Sequence, residues 1–140
     1  VYDGNGMILG RLAAVIAKDL LLGEEVNVIN CEKVVVSGRK TNVFNTNKER
    51  RARKGYPLKS AKLSRLPERY VRRSIRGMLP WKQTRGREAF KRVMCYQGVP
   101  AEFAQQTALK VEKAAMSKLP TLYYTTVGEI CKNSGGTFEQ

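Results

Sequence analysis

Apolar positions in the first forty residues follow two different periods. Leu9, Leu12, Ala13, Ile16 and Leu20 recur at the three-and-four spacing of a helix that buries one stripe. This predicts a helix over 8–22, closed by Gly23, which tolerates the left-handed turn that often ends a helix. Before it, Val1-Tyr2-Asp3 ends a first strand, and after it the β-branched runs 26–30 and 34–36, closed by Ser37-Gly38, read as short buried strands. Strand, helix and strand in that order predict an α/β fold with a parallel sheet and a right-handed crossover.

From 39 to 66 the pattern changes, because few apolar residues remain. A helix is expected over 41–51, and 50–65 holds seven basic side chains and no acid, with Gly55-Tyr56-Pro57 marking a turn. Such a stretch cannot pack alone, so it is expected to be an extended basic loop that phosphates would order. Pro67 then suits the first turn of a helix. On that helix Arg69, Arg72, Arg73 and Arg76 share one face, while Val71, Ile75, Met78 and Leu79 lie opposite. The arrangement predicts an outward arginine ridge, and a planar guanidinium can hold two phosphate oxygens where an ammonium acts as a point charge.

Pro80 ends that helix, and Trp81-Lys82-Gln83 connects it to a second one, with Thr84 as N-cap and Ala89, Phe90, Val93 and Met94 as its apolar stripe. Trp81 is read as a wedge between the two helices, with base stacking as the alternative; Tyr56 is a second stacking candidate. Cys95-Tyr96-Gln97 returns to the sheet. A weak helix over 107–116, an extended 122–124 and a short helix from Thr126 to Asn133, stopped by Gly135-Gly136, make a peripheral C-terminal segment on a single domain spanning 1–140.

Charge turns this α/β frame into a functional expectation. Among 140 residues, 26 Lys and Arg oppose 12 Asp and Glu, a net charge of +14, while 42% of residues are hydrophobic. Residues 39–92 alone carry nineteen basic and three acidic side chains; the segments on either side carry three against five and four against four. The whole excess therefore sits in the middle of the chain, as for a face built to meet a polyanion. Cys31, Cys95 and Cys131 are widely spaced and histidine is absent, which removes the usual zinc motifs and the commonest catalytic base. The cysteines read as small buried apolar residues of a reducing compartment. The longest apolar tracts, such as 20–22 and 34–36, fall far short of the ~18 residues of a membrane span, so a soluble protein with no membrane partner is expected. Neither a Gly-x-Ser-x-Gly elbow nor an activated nucleophile is evident, and no enzymatic activity is expected. Gly4-Asn5-Gly6 with Gly10, and Glu32 after the next strand, superficially form a dinucleotide fingerprint. The structural reading is a tight turn and close packing of helix on sheet.

Three blocks carry a resemblance: Ile8-Leu9-Gly10-Arg11-Leu12-Ala13; Val35-Val36-Ser37-Gly38; and Ile75-Arg76-Gly77-Met78-Leu79-Pro80 with Arg85-Gly86-Arg87 and Tyr96-Gln97-Gly98-Val99-Pro100. Together they resemble the universal large-subunit ribosomal protein thirteen family in its archaeal and eukaryotic form. Tyr124-Thr125-Thr126-Val127-Gly128-Glu129-Ile130 is similar to the C-terminal segment of archaeal members, whereas Lys54-Gly55-Tyr56-Pro57-Leu58-Lys59 is closer to the bacterial form. The resemblance implies a three-layer α/β/α domain around a four-stranded parallel sheet, no cofactor, and a structural role on large-subunit rRNA. Expected partners are that rRNA and neighbouring large-subunit ribosomal proteins, in the cytoplasm, with no small-molecule substrate and no homo-oligomer. The candidate RNA contacts are Arg39, Lys40, Arg50, Arg51, Arg53, Lys54, Lys59, Lys62, Arg65, Arg69, Arg72, Arg73, Arg76, Lys82, Arg85 and Arg87. Two alternatives of other classes are a nucleotide-dependent enzyme using the Gly4-Gly6-Gly10 turn and a DNA-binding regulator.

Overall fold

The 9–20 apolar stripe forms helix α1 (Leu9–Leu21), in which Leu12, Ala13, Ile16, Ala17 and Leu20 are buried. Gly23 follows at φ +98°, a conformation that suits glycine. This computed structural model describes residues 1–53 and 63–138. Strands β1 (Tyr2–Asp3), β2 (Val26–Ile29) and β4 (Val93–Cys95) form a parallel sheet in the order β1-β2-β4, with Tyr2 opposite Val28 and Val28 opposite Cys95.

The α/β class and the parallel sheet match the sequence reading; a sheet of four parallel strands does not form among the described residues. Strand β3 (Val35–Ser37) leaves it and pairs antiparallel with β5 (Tyr124–Thr126), Val35 facing Thr126 and Ser37 facing Tyr124. The cause lies just before β3. Asn30 adopts a left-handed φ of 55°, its side-chain amide donates to Asp3 Oδ1 at 2.9 Å, and a 3₁₀ turn over Cys31–Lys33 follows. The chain is thereby swung off the line of β2, and the β-branched run that reads as another parallel strand finds its partner near the C-terminus.

The remaining helices are α2 (Lys40–Ala52), α3 (Pro67–Gly77), α4 (Thr84–Lys91) and α5 (Val127–Asn133). One core unites Leu12, Ile16 and Leu20 of α1 with Val28, Val71, Ile75, Leu79, Ala89, Val93, Val127 and Cys131. The C-terminal segment, expected at the periphery, thus contributes core side chains. Its helix is fixed by a capping box: Glu129 N–H donates to Thr126 Oγ1, and Thr126 N–H donates to the Glu129 carboxylate.

Three further expectations differ. The 107–116 stretch forms no α-helix; it holds the 3₁₀ turn Glu112–Ala114, with Met116–Lys118 just after it, because only Ala114 there is buried and no apolar stripe exists to anchor a helix. Gln83, not Thr84, is the N-cap of α4, and the helix ends at Lys91, so Val93 and Met94 belong to β4 and Met94 faces outward. Met78 is also exposed, since α3 ends at Gly77 and the helical period no longer governs it. Helix α3 packs on α1, β4 and α5, while α2 lies against α5 and β5, so both cationic helices are held by the same C-terminal elements.

Candidate nucleic-acid interface

Helix α3 begins with Pro67 at its first turn and buries Val71 and Ile75, which leaves Arg69, Arg73 and Arg76 on its exposed side. Arg72 departs from the predicted ridge. Half-buried, it donates from Nε to Val93 O at 3.1 Å and from Nη2 to Phe90 O at 3.4 Å, and its guanidinium lies 4.3 Å from the Phe90 ring centre. Where α4 gives way to β4, these carbonyls have no helical partner, and Arg72 satisfies them from the neighbouring helix. Glu68, one turn before Arg72, accepts a 2.6 Å hydrogen bond from Gln97 Nε2.

Beyond Phe90 the aromatic contacts continue. Trp81 meets Phe90 edge to face, with centroids 5.0 Å apart, and the Arg76 guanidinium covers Trp81 at 4.1 Å. Trp81 therefore wedges between α3 and α4. Arg87 fastens the same connector by donating to Trp81 O at 3.2 Å and Lys82 O at 3.0 Å. Lys82 and Arg85 are exposed.

Helix α2 is polar on nearly every side, and its buried residue is Asn47, whose Nδ2 donates to Ser134 Oγ at 2.6 Å. At its start Lys40 pairs with Glu129 at 3.1 Å, and Arg39 lies 5.0 Å from the Tyr123 ring centre. At its end Arg51 donates to Leu63 O at 2.9 Å, a half-buried brace on the segment entering α3. Arg53 and Arg65 are exposed. Lys54, Tyr56, Lys59 and Lys62, with most of the predicted basic loop, lie outside the described residues.

Four cavities adjoin along these elements and share walls. One of about 750 Å³ has Arg39, Lys40 and Tyr123 in its lining, and Arg39 also lines a second of about 280 Å³ that reaches Arg50 and Tyr70. Arg50 and Tyr70 in turn line a third of about 210 Å³ with Arg73, and Arg73 lines a fourth of about 570 Å³ with Arg76, Trp81 and Lys82. A continuous groove thus runs from the β3–β5 end, along α2 and across α3, to the Trp81 connector. The acid in its walls is Glu129, already paired with Lys40. Burial pushes the Tyr70 phenol up, so it stays an O–H donor on the groove wall. A polyanion fits this arrangement, because several guanidinium groups converge where little negative charge competes for them. Sequence reasoning missed Tyr70, Asn47 and Tyr123; the uninterrupted Leu122-Tyr123-Tyr124 run was the available signal for the last.

The glycine turn is built otherwise. Its amides are occupied within the protein: Gly4 N–H donates to Ile29 O at 2.9 Å, Asn5 N–H to Asp3 Oδ1 at 3.0 Å, Gly6 N–H to Lys33 O at 3.3 Å and Ile8 N–H to Ala114 O at 2.6 Å. A pyrophosphate would find these donors taken. A Cβ at Gly4 would lie 2.7 Å from Val34 Cγ2, so this glycine permits close packing. All three cysteines are free and buried. The Cys31 thiol is pushed far up, first by its hydrogen bond with Cys95 and then by burial, and burial pushes Cys131 up to about 12. Among the described residues no three His, Cys, Asp or Glu side chains gather to hold a metal ion, and no helix is long and apolar enough to cross a membrane.

Residues 1–102 match the family described as Ribosomal protein L13. Proteins named large ribosomal subunit protein uL13 are similar over nearly the whole chain. The one from Methanopyrus kandleri is 44% identical over 96% of this chain and 86% of its own length. That from Methanocaldococcus jannaschii is 42% identical over 99% and 98%, and that from Methanococcoides burtonii 39% over 99% of each. With its Ile75–Pro80 block on the wall of an arginine-lined groove and relatives this similar from end to end, the chain belongs to the ribosomal protein L13 family.

Proposed function

We propose that the protein is a structural constituent of the large ribosomal subunit, in the cytoplasm, whose groove clamps phosphates of large-subunit rRNA and holds a junction of RNA helices in place. The observation that carries this reading is the continuity of the groove through Arg39, Arg50, Arg73 and Arg76. Arg53, Arg65, Arg69, Lys82 and Arg85 add outward charge around it, and Lys54, Lys59 and Lys62, with Tyr56, extend the candidate surface. Arg72, Arg51 and Arg87 act from behind, positioning the helices and the connector that carry the phosphate-binding groups. Most contacts go to phosphate and sugar, and recognition comes from RNA shape. The protein does no chemistry and works as a single copy beside neighbouring ribosomal proteins.

Affinity for transcribed large-subunit rRNA, measured across a salt series, tests this. Ten phosphate contacts give a slope of log affinity against log salt of about −7 to −9. The Arg73→Ala/Arg76→Ala double variant should reduce that slope by about 2. A wild-type protein whose RNA affinity ignores salt, or a double variant that binds normally throughout, would refute the reading.

A further inference from the structure

One end of the groove carries an apolar surface that phosphate binding leaves unused. Leu122, Tyr123 and Tyr124 are consecutive and 95%, 54% and 44% exposed. Single exposed apolar residues are ordinary, but an adjacent run of three that includes two aromatic rings calls for a partner. The rings are carried on paired backbone: Tyr124 is in register with Ser37, and Gly38 N–H donates to Tyr123 O at 3.1 Å. Beside them stand Arg39, 5.0 Å from the Tyr123 ring centre, and Lys40. Glu129, the acid in this cavity, is paired with Lys40 at 3.1 Å and leaves little uncompensated negative charge. At the opposite end Trp81 has its ring engaged by Arg76 and Phe90, so the tyrosine end is the one offering open aromatic surface.

An exposed ring next to a guanidinium is the pairing that unstacked bases favour: the ring takes the base face and the cation takes the adjoining phosphate. Three side chains are far fewer than the roughly 20–30 residues each partner brings to a stable protein interface, but they match one or two bases. The geometry points to a base-stacking shelf: Tyr123 and Tyr124, with Arg39, hold an unpaired nucleotide of the rRNA at the β3–β5 end of the groove. This rests on the rRNA-binding function proposed above. The shelf tyrosines lie beyond the 1–102 stretch that matches the family.

The test uses the full chain and transcribed large-subunit rRNA. The Tyr123→Ala/Tyr124→Ala double variant should bind about 5- to 150-fold more weakly, the range for losing one stacked base, with the salt slope unchanged because no phosphate contact is removed. The Tyr123→Trp/Tyr124→Trp variant should bind like wild type, and ultraviolet crosslinking should leave nucleotide adducts on the peptide holding these tyrosines. Wild-type affinity in the alanine variant overturns the shelf. So does a loss that tryptophan fails to restore, which would mark a structural role, and so does normal RNA binding with loss of a neighbouring protein from reconstituted subunits. Wild-type protein lacking salt-dependent RNA binding would instead defeat the underlying rRNA reading, so the two failures are distinguishable.

Discussion

Gly86 sits near the start of α4, buried against the turn that ends α3, and alanine there probes how closely the two helices meet. A Cβ would fall 2.1 Å from Pro80 O and 2.3 Å from Pro80 C. An ordinary carbon–oxygen contact is about 3.3–3.6 Å, so the connector must move by more than about 1 Å. Both clashing atoms are backbone, and no rotamer change relieves them. Overpacking typically costs about 1–3 kcal/mol and more when the overlap is this deep, against which alanine regains about 1 kcal/mol of helix propensity. The expected net loss is at least about 2 kcal/mol, or roughly 8 °C in Tm for a chain of this length. Circular dichroism melts measure it, and the emission of Trp81, the sole tryptophan, should shift because it sits on the displaced turn. Gly77→Ala is the matched control: exposed at the end of α3 with nothing within 4 Å of its Cβ, it should stabilise by about 0.4–1 kcal/mol. If Gly86→Ala melts at or above wild type, the close approach is wrong and the argument fails with it.

Other perturbations separate framework from surface. Arg72→Ala should lose about 2–3 kcal/mol in urea unfolding, because it strips charged donors from two carbonyls, and Arg72→Lys should not restore it. Arg69→Ala, at an exposed site, should stay within about 0.5 kcal/mol of wild type, yet flatten the rRNA salt slope by about 1. Thr126→Ala removes the α5 cap and should cost about 0.5–2 kcal/mol by the same measurement. Tyr2 is pushed up to about 12 by burial and then by the hydrogen bond it donates to Asp19. The folded state holds this proton more tightly than the unfolded chain, so its stabilising contribution is whole below pH 10 and falls away between pH 10 and about 12. Tyr2→Phe should remove that part of the alkaline decline, seen as urea midpoints that change less across the window.

Elements whose causes are local were legible in the sequence. The α1 stripe, Pro67 opening α3, the Thr126 cap and Trp81 as a wedge all follow from neighbours a few positions apart. Where the deciding contact is distant, residue pattern gave the wrong partner or the wrong role. Val34–Val36 has a buried strand's composition, but the left-handed Asn30 sends it to Thr126 instead of the main sheet. Arg72 lies on the arginine face of the wheel, and only the end of α4 determines that it turns inward. At the site, the central charge block located α2 and α3 correctly. The groove's tyrosine end was invisible because Arg39 and Tyr123 are brought together by the β3–β5 pairing, which no local spacing encodes.

That pairing also sets an order on biosynthesis. Val35 waits for Thr126, and the hydrophobic interior waits for Val127 and Cys131, until nearly the entire polypeptide has been translated. The arginine-rich middle therefore emerges before the scaffold that arranges it, as a cationic nascent chain with an unfinished interior. Shape-selective recognition arrives only with the last helix, so the growing chain attracts polyanions well before it can discriminate among them.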